Sequence, residues 1–153
     1  MHSRIRTGGR SNFLRAGALL AAAQITLCAC SSSEGASSLS LTSGTPRAVV
    51  DGQSADAQGA PAGEGEGELL VGPGGCFALD GDDGAPALLV FPEATQVLTD
   101  GWPGLALADE QYLVGNDVLF SGGYRKLDSA EREAVSACQP QGEAFFVQAP
   151  AEK

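Results

Sequence analysis

Histidine is all but missing from this chain: its 153 residues hold one, His2. That scarcity removes the usual base of Ser-His-Asp and Cys-His catalysis, and with it histidine metal sites and proton shuttles. Methionine is present once and tryptophan once, and aromatics make up 6% of the sequence. Cations are scarce as well. Nine Lys and Arg face nineteen Asp and Glu, a formal charge of −10. Nucleic acid and bare anionic membrane surfaces are both bound through cationic patches, so neither suits this chain. There is no phosphate-cradling Gly-rich Lys-Ser/Thr motif and no dinucleotide fingerprint. No apolar run reaches the roughly twenty residues that cross a bilayer core.

The first fifteen residues carry Arg4, Arg6, Arg10 and Arg15 and no acid. Twelve residues follow, Ala16 to Leu27, interrupted only by polar Gln24 and Thr26. A basic segment before a short apolar one is the layout of a secretory signal. It closes on Leu27-Cys28-Ala29-Cys30, with Ser31, Ser32 and Ser33 next. This tetrad resembles the lipobox of bacterial lipoproteins: aliphatic at −3, small at −1, then cysteine. The resemblance implies cleavage after Ala29, so that 1–29 is a signal peptide. It also implies a diacylglyceryl thioether on Cys30 that anchors the exported chain to the outer face of the cell membrane. Cleavage there removes His2, Cys28 and four arginines, leaving five basic residues against all nineteen acids. The processed chain would hold no histidine.

Residues 30–67 are expected to be the lipidated cysteine and a disordered tether. From 31 to 67, 23 of 37 positions are Ser, Gly, Ala or Pro, and none is aromatic. Such a composition does not bury enough apolar area to offset chain entropy. As a flexible coil the segment would span about 30–35 Å. Every aromatic beyond the signal comes later, from Phe77 to Phe146. The folded domain is therefore expected at 68–149, with a tail at 150–153. A domain of this size is marginal without a staple.

That domain reads as mostly β: five or six short strands and one short helix, a small curled sheet or barrel, the OB-like form among the candidates. Glu68–Val71 and Cys76–Leu79 flank the turn Gly72-Pro73-Gly74-Gly75. Residues 86–91 form a continuous apolar run of strand length, stopped by Pro92. Leu105–Ala108, Tyr112–Val114, Val118–Phe120 and Ala144–Gln148 supply the remaining strands. Gly115-Asn116 predicts a tight hairpin, because both residues tolerate positive φ. Gly122-Gly123 predicts a bulge or bent strand. Asp128 with Glu131 three residues on is a capping-box signature, and Pro140 forbids continuation of the helix it opens. Gly75-Cys76-Phe77, Leu89-Val90-Phe91-Pro92, Val114–Val118 and a late Cys138 before Phe145-Phe146 are similar to small actinobacterial lipoprotein and secreted domains. That resemblance implies a compact β-domain with a cysteine bridge, and no activity.

With Cys28 removed and Cys30 acylated, Cys76 and Cys138 remain as a pair. Outside the cytoplasm such a pair in a small domain is expected to form a disulfide. A zinc site would want more ligands, and a redox pair the C-x-x-C spacing. No catalytic, cofactor or metal residue stands out. Asp80-Gly81-Asp82-Asp83-Gly84 lacks the spacing of a calcium loop and is expected to be a solvated hairpin turn. Trp102, in Asp100-Gly101-Trp102-Pro103-Gly104, is either an exposed anchor or, as favoured here, a lid folded on the end of a barrel. Arg125-Lys126 should find a local salt-bridge partner. The leading expectation is a membrane-anchored lipoprotein with a non-catalytic binding domain of unknown ligand. The alternatives are a secreted protein or small enzyme of unrecognised chemistry, and a weak divalent-cation binder.

Overall fold

In the computed structural model the described residues are 37–53, 62–80 and 84–150, without the side chains of 149 and 150. The leader, Cys30, residues 31–36, 54–61 and 81–83, and the tail from 151 lie outside them.

Five strand pairings close a barrel. In chain order its staves are β3 (Gly63–Val71), β4 (Phe77–Leu79), β5 (Ala87–Pro92), β9 (Asp117–Lys126) and β10 (Glu143–Pro150). Around the barrel they run β3-β4-β5-β10-β9 and back to β3. Every contact is antiparallel except β5 with β10, where Leu88, Leu89 and Val90 lie parallel to Ala144, Phe145 and Phe146. Of the curled sheet or barrel of five or six strands expected from the sequence, the described residues form the mostly β barrel, closed by five strands, with one short helix.

Closure explains why β5 is apolar throughout. One row of its side chains, Leu89 and Phe91, enters the barrel interior with Leu69, Phe77, Leu79, Phe120, Phe145 and Val147. The rings meet edge to face, Phe77 to Phe91 at 6.3 Å and Phe91 to Phe120 at 6.1 Å. Such contacts add to burial itself. The other row, Leu88 and Val90, joins Ala144 and Phe146 in a second core on the outer face. A strand covered on both faces has no use for alternation.

What covers that outer face corrects the expected tether. Strands β1 (Leu39–Leu41) and β2 (Val49–Asp51) pair antiparallel, and β2 lies parallel to β5, with Val49 opposite Val90 and Val50 opposite Phe91. Leu39, Val49, Cys76, Leu127, Val135 and Cys138 make up the rest of the second core, with Leu41 packed against it. The composition argument failed because it counted only apolar area within the segment. Three aliphatic side chains, Leu39, Leu41 and Val49, suffice when a preformed sheet face supplies the other half of the burial, and Val50 joins the barrel core. The Gly63–Gly67 repeat is likewise strand, not tether. Gly65 is buried, and a Cβ there would come within 2.8 Å of the Phe145 ring, while Glu64, Glu66 and Glu68 are exposed. The inward row takes glycine because a phenylalanine occupies the space. The folded unit therefore begins at or before Leu39 rather than at 68, and β10 extends to Pro150.

Strands β6 (Gln96–Leu98), β7 (Gly104–Leu107) and β8 (Glu110–Leu113) form a separate three-stranded sheet. The described residues thus hold five strands beyond the five of the barrel. Leu105 and Leu107 join the barrel core from this sheet, with Val97 and Tyr112 packed against it. The Gly115-Asn116 hairpin is corrected too, since β8 and β9 belong to different sheets. Gly115 does take positive φ, 90°, but it and Asn116 bond across to Leu69 of β3. The true hairpin turns at Ala108-Asp109, between β7 and β8. Around Gly122-Gly123 the irregularity lies on the partner, where the β9–β10 register shifts between Val147 and Ala149.

The helix α1 (Ser129–Ala134) begins as its signature predicts. Asp128 accepts from the Glu131 amide at 2.8 Å and Glu131 accepts from the Asp128 amide at 2.8 Å, a complete capping box.

Candidate functional site

The β3–β4 turn and the segment after α1 approach one another at the rim of the barrel. The first is a single 3₁₀ turn, Pro73–Gly75; the second is another, Ser136–Cys138. Gly74, at φ 68°, lies where a Cβ would run into the Ala137 carbonyl, so only glycine lets the two turns touch. Cys76 and Cys138 stand at disulfide distance there, Cα atoms 5.5 Å apart and 62 residues apart in sequence. Both are buried. The two cysteines that the sequence paired are brought together.

Beside this junction lies a cleft of about 220 Å³. One wall is Gly72 and Pro73 from the β3–β4 turn; the opposite wall is Cys138, Gln139, Pro140 and Gln141 from the connection into β10. Ala78 of β4 and Leu88 of β5 line it too, and Gly84, Ala85 and Pro86 complete the lining from the β4–β5 connection. Three prolines restrict its walls, since each ring fixes its own φ. Gln139 holds φ at 49°, uncommon for a side-chain-bearing residue, and its amide nitrogen bonds back to the Ser136 carbonyl at 3.0 Å.

Among the described residues the lining contains no acid, base or unbonded nucleophile. Its chemistry is that of an apolar seat with two glutamine amides, each able to donate and accept hydrogen bonds. The volume lies below that of a typical small-molecule pocket and fits one bulky apolar group.

The ionic chemistry of the domain sits elsewhere. Arg125 and Glu131 form a bidentate pair, Nη1 to Oε2 at 2.8 Å and Nη2 to Oε1 at 2.6 Å. The same guanidinium stacks 3.8 Å above the Phe146 ring. Its pKa is pushed up by the bonds to Glu131, which outweigh the opposing effect of burial. Arg125 is thus the local salt-bridge residue expected, and it serves the helix start. The Tyr112 phenol is pushed up by burial and by its 2.6 Å bond to Glu110. No group of three or more His, Cys, Asp or Glu is placed to hold a metal among the described residues. Of the acidic turn, only Asp80 and Gly84 are described; Asp82 and Asp83 lie outside.

Trp102 contradicts the lid expectation. It is 68% exposed, and its indole Nε1 donates to the Val114 carbonyl at 2.8 Å. From the same three-stranded sheet it is Leu105 and Leu107 that join the barrel core instead. Sequence reasoning did not find the proline-walled cleft. Its signal was the placing of Pro73 and Pro140 within three residues of the two paired cysteines. Comparison with protein-family models, with characterised proteins and with solved structures finds no match for the chain.

Proposed function

We propose that this chain is an exported lipoprotein, held on the outer face of the membrane by a diacylglyceryl group on Cys30. Its barrel acts as a non-catalytic binding module. The anchoring half rests on the basic leader, the short apolar segment and Leu27-Cys28-Ala29-Cys30. The binding half rests on one observation, the uncharged cleft whose walls meet at Cys76 and Cys138. A cleft tied in this way loses little freedom when it takes a ligand, which favours affinity. The group it accepts is apolar and compact, with a neighbouring amide or carbonyl for Gln139 or Gln141.

Two measurements test the reading. Labelled palmitate should enter the wild-type chain and be lost in Cys30→Ala, which should move to the aqueous phase in detergent partitioning while keeping its thermal transition. Unlabelled wild type, or a cut elsewhere than before Cys30, defeats the anchor. For the cleft, amide shifts of Cys76, Ala78, Leu88 and Gln139 should respond to N-acetyl-leucinamide and N-acetyl-prolinamide. Leu88→Lys should abolish that response. Shifts that are absent, or that survive Leu88→Lys, defeat the site.

A further inference from the structure

Every phenylalanine in the described part of the chain is fully buried, yet the sole tryptophan stands in the open. Its exposure is not looseness. The indole nitrogen bonds the Val114 carbonyl at 2.8 Å, and the Val114 amide bonds the Pro103 carbonyl at 3.0 Å, so the loop is held to Val114 on both sides of the ring plane's attachment. Gly101 supplies a left-handed turn at φ 92° just before the indole, and Pro103 restricts the backbone just after it. Ordering an indole costs rotamer entropy, and leaving it in water forgoes the burial that would offset the cost. Fold stability does not account for this arrangement.

The fixed ring borders a hollow of about 330 Å³. Val97, Leu98 and Leu113 give it an apolar part; Thr99, Asp100 and Gln111 give it hydrogen-bonding groups. Together these offer acceptors and donors in one place: a carboxylate, an amide and a hydroxyl. We propose that Trp102 is a stacking platform for a pyranose ring of a neutral oligosaccharide, with Asp100, Gln111 and Thr99 binding its hydroxyls. A pyranose presents weakly positive C–H groups on one face, which match the negative face of an indole. Its hydroxyls, at once donors and acceptors, match the mixed polar set. Charge excludes the anionic alternatives: Asp100 is the one ionisable group in the hollow, and the whole chain carries −10. A proline-rich peptide fits less well, because such ligands lie across several aromatic side chains and this hollow has one. The site is separate from the proline-walled cleft and does not rest on membrane anchoring.

Because Trp102 is the only tryptophan, the emission of the intact chain reports on the site directly. The probes are cellohexaose, maltohexaose, chitohexaose and mannohexaose, with decaproline as the competing class. At least one hexasaccharide should give a saturable shift in emission, and calorimetry should place its Kd at or below the millimolar range, about −4 kcal/mol. Trp102→Ala should weaken that binding at least tenfold and Gln111→Ala severalfold. Trp102→Phe, which keeps a ring, should retain part of it, and remains informative if the alanine variant misfolds. The proposal is overturned if no hexasaccharide shifts the emission at concentrations of order 10 mM. It is equally overturned if decaproline alone does so, or if affinity is indifferent to Trp102.

Discussion

Replacing Glu131 with glutamine keeps the shape of the side chain and removes only its charge. In the native protein its two oxygens accept three hydrogen bonds: two from Arg125 at 2.6 and 2.8 Å and one from the Asp128 amide at 2.8 Å. A glutamine has one acceptor oxygen and must turn an NH₂ toward the guanidinium, donor against donor. Side-chain exposures of 23% for Arg125 and 10% for Glu131 place the pair between the limits of solvated and buried. Solvated pairs contribute up to about 1 kcal/mol, and breaking a fully buried one costs about 3–5 kcal/mol. About 2 kcal/mol is therefore expected for Glu131→Gln. Glu131→Ala also removes the return half of the capping box, which adds about 1 kcal/mol. At about 4 °C per kcal/mol for a domain near this size, the melting midpoints fall by about 8 and 12 °C.

The assay is urea unfolding of both variants, of Arg125→Met, and of the double variant Arg125→Met/Glu131→Gln, read as a thermodynamic cycle. A coupling energy above about 1 kcal/mol is expected, nearly unchanged by added salt, because screening acts mainly on exposed pairs. Hydrogen exchange should also accelerate from Ser129 to Cys138, since the capping box holds the start of that segment. A glutamine variant within about 0.5 kcal/mol of wild type, the range of ordinary surface substitutions, would refute the argument. So would coupling that vanishes in salt, because both would mean that Arg125 is solvated in practice.

Two further outcomes follow from the packing. Cys76→Ala/Cys138→Ala should lose about 4 kcal/mol from the chain-entropy relation, for a bridge spanning 62 residues. Denaturant titration measures this, and two free thiols in the natively purified chain would dispose of the bridge. Gly65→Ala should destabilise by about 1–3 kcal/mol, because its Cβ would overpack the Phe145 ring at 2.8 Å. Gly63→Ala, whose Cβ would find only the Gly122 carbonyl at 3.6 Å, should stay close to wild type in the same thermal scan.

What the sequence disclosed depended on whether the signal was local. The capping box of Asp128 and Glu131 completes itself within four residues, so its meaning survives any tertiary context. The apolar run ahead of Pro92 is strand-like whichever neighbours it meets, and Ala87–Pro92 became the stave shared by both cores. The cysteine pair was legible by elimination. Where the partner is distant, local reasoning erred. Leu39, Leu41, Val49 and Val50 are too few to form a core among themselves; the first three find burial against β5, β10 and the segment after α1, and Val50 finds it in the barrel core. Gly65 reads as a flexible residue until Phe145, eighty positions later, is seen to fill the space a side chain would take. Gly115-Asn116 is a sound turn signal; what its composition does not specify is that the next strand pairs with another sheet.

The distribution of charge carries the functional reading furthest. Among the described residues the buried polar or charged ones are Asp51, Thr95 and Glu131. Asp51 accepts from the Gln53 amide at 2.9 Å, and Glu131 ties the helix start to Arg125. The Thr95 hydroxyl lies without a hydrogen-bond partner and is not among the residues lining either concavity. Both buried carboxylates are therefore committed to holding the backbone. Catalysis depends on a titratable group held beside a space for substrate, with its pKa tuned by that setting. The proline-walled cleft has no ionisable side chain among its described residues, and the hollow beside the indole has a single carboxylate, while a third hollow of about 380 Å³ is lined by Glu110, Tyr112 and Asp117. The first two have the composition of surfaces that discriminate by shape, stacking and hydrogen-bond pattern. Glycine serves differently at Gly74 and Gly101: both take positive φ, but at Gly74 a Cβ would also run into the Ala137 carbonyl, whereas at Gly101 it would meet open space.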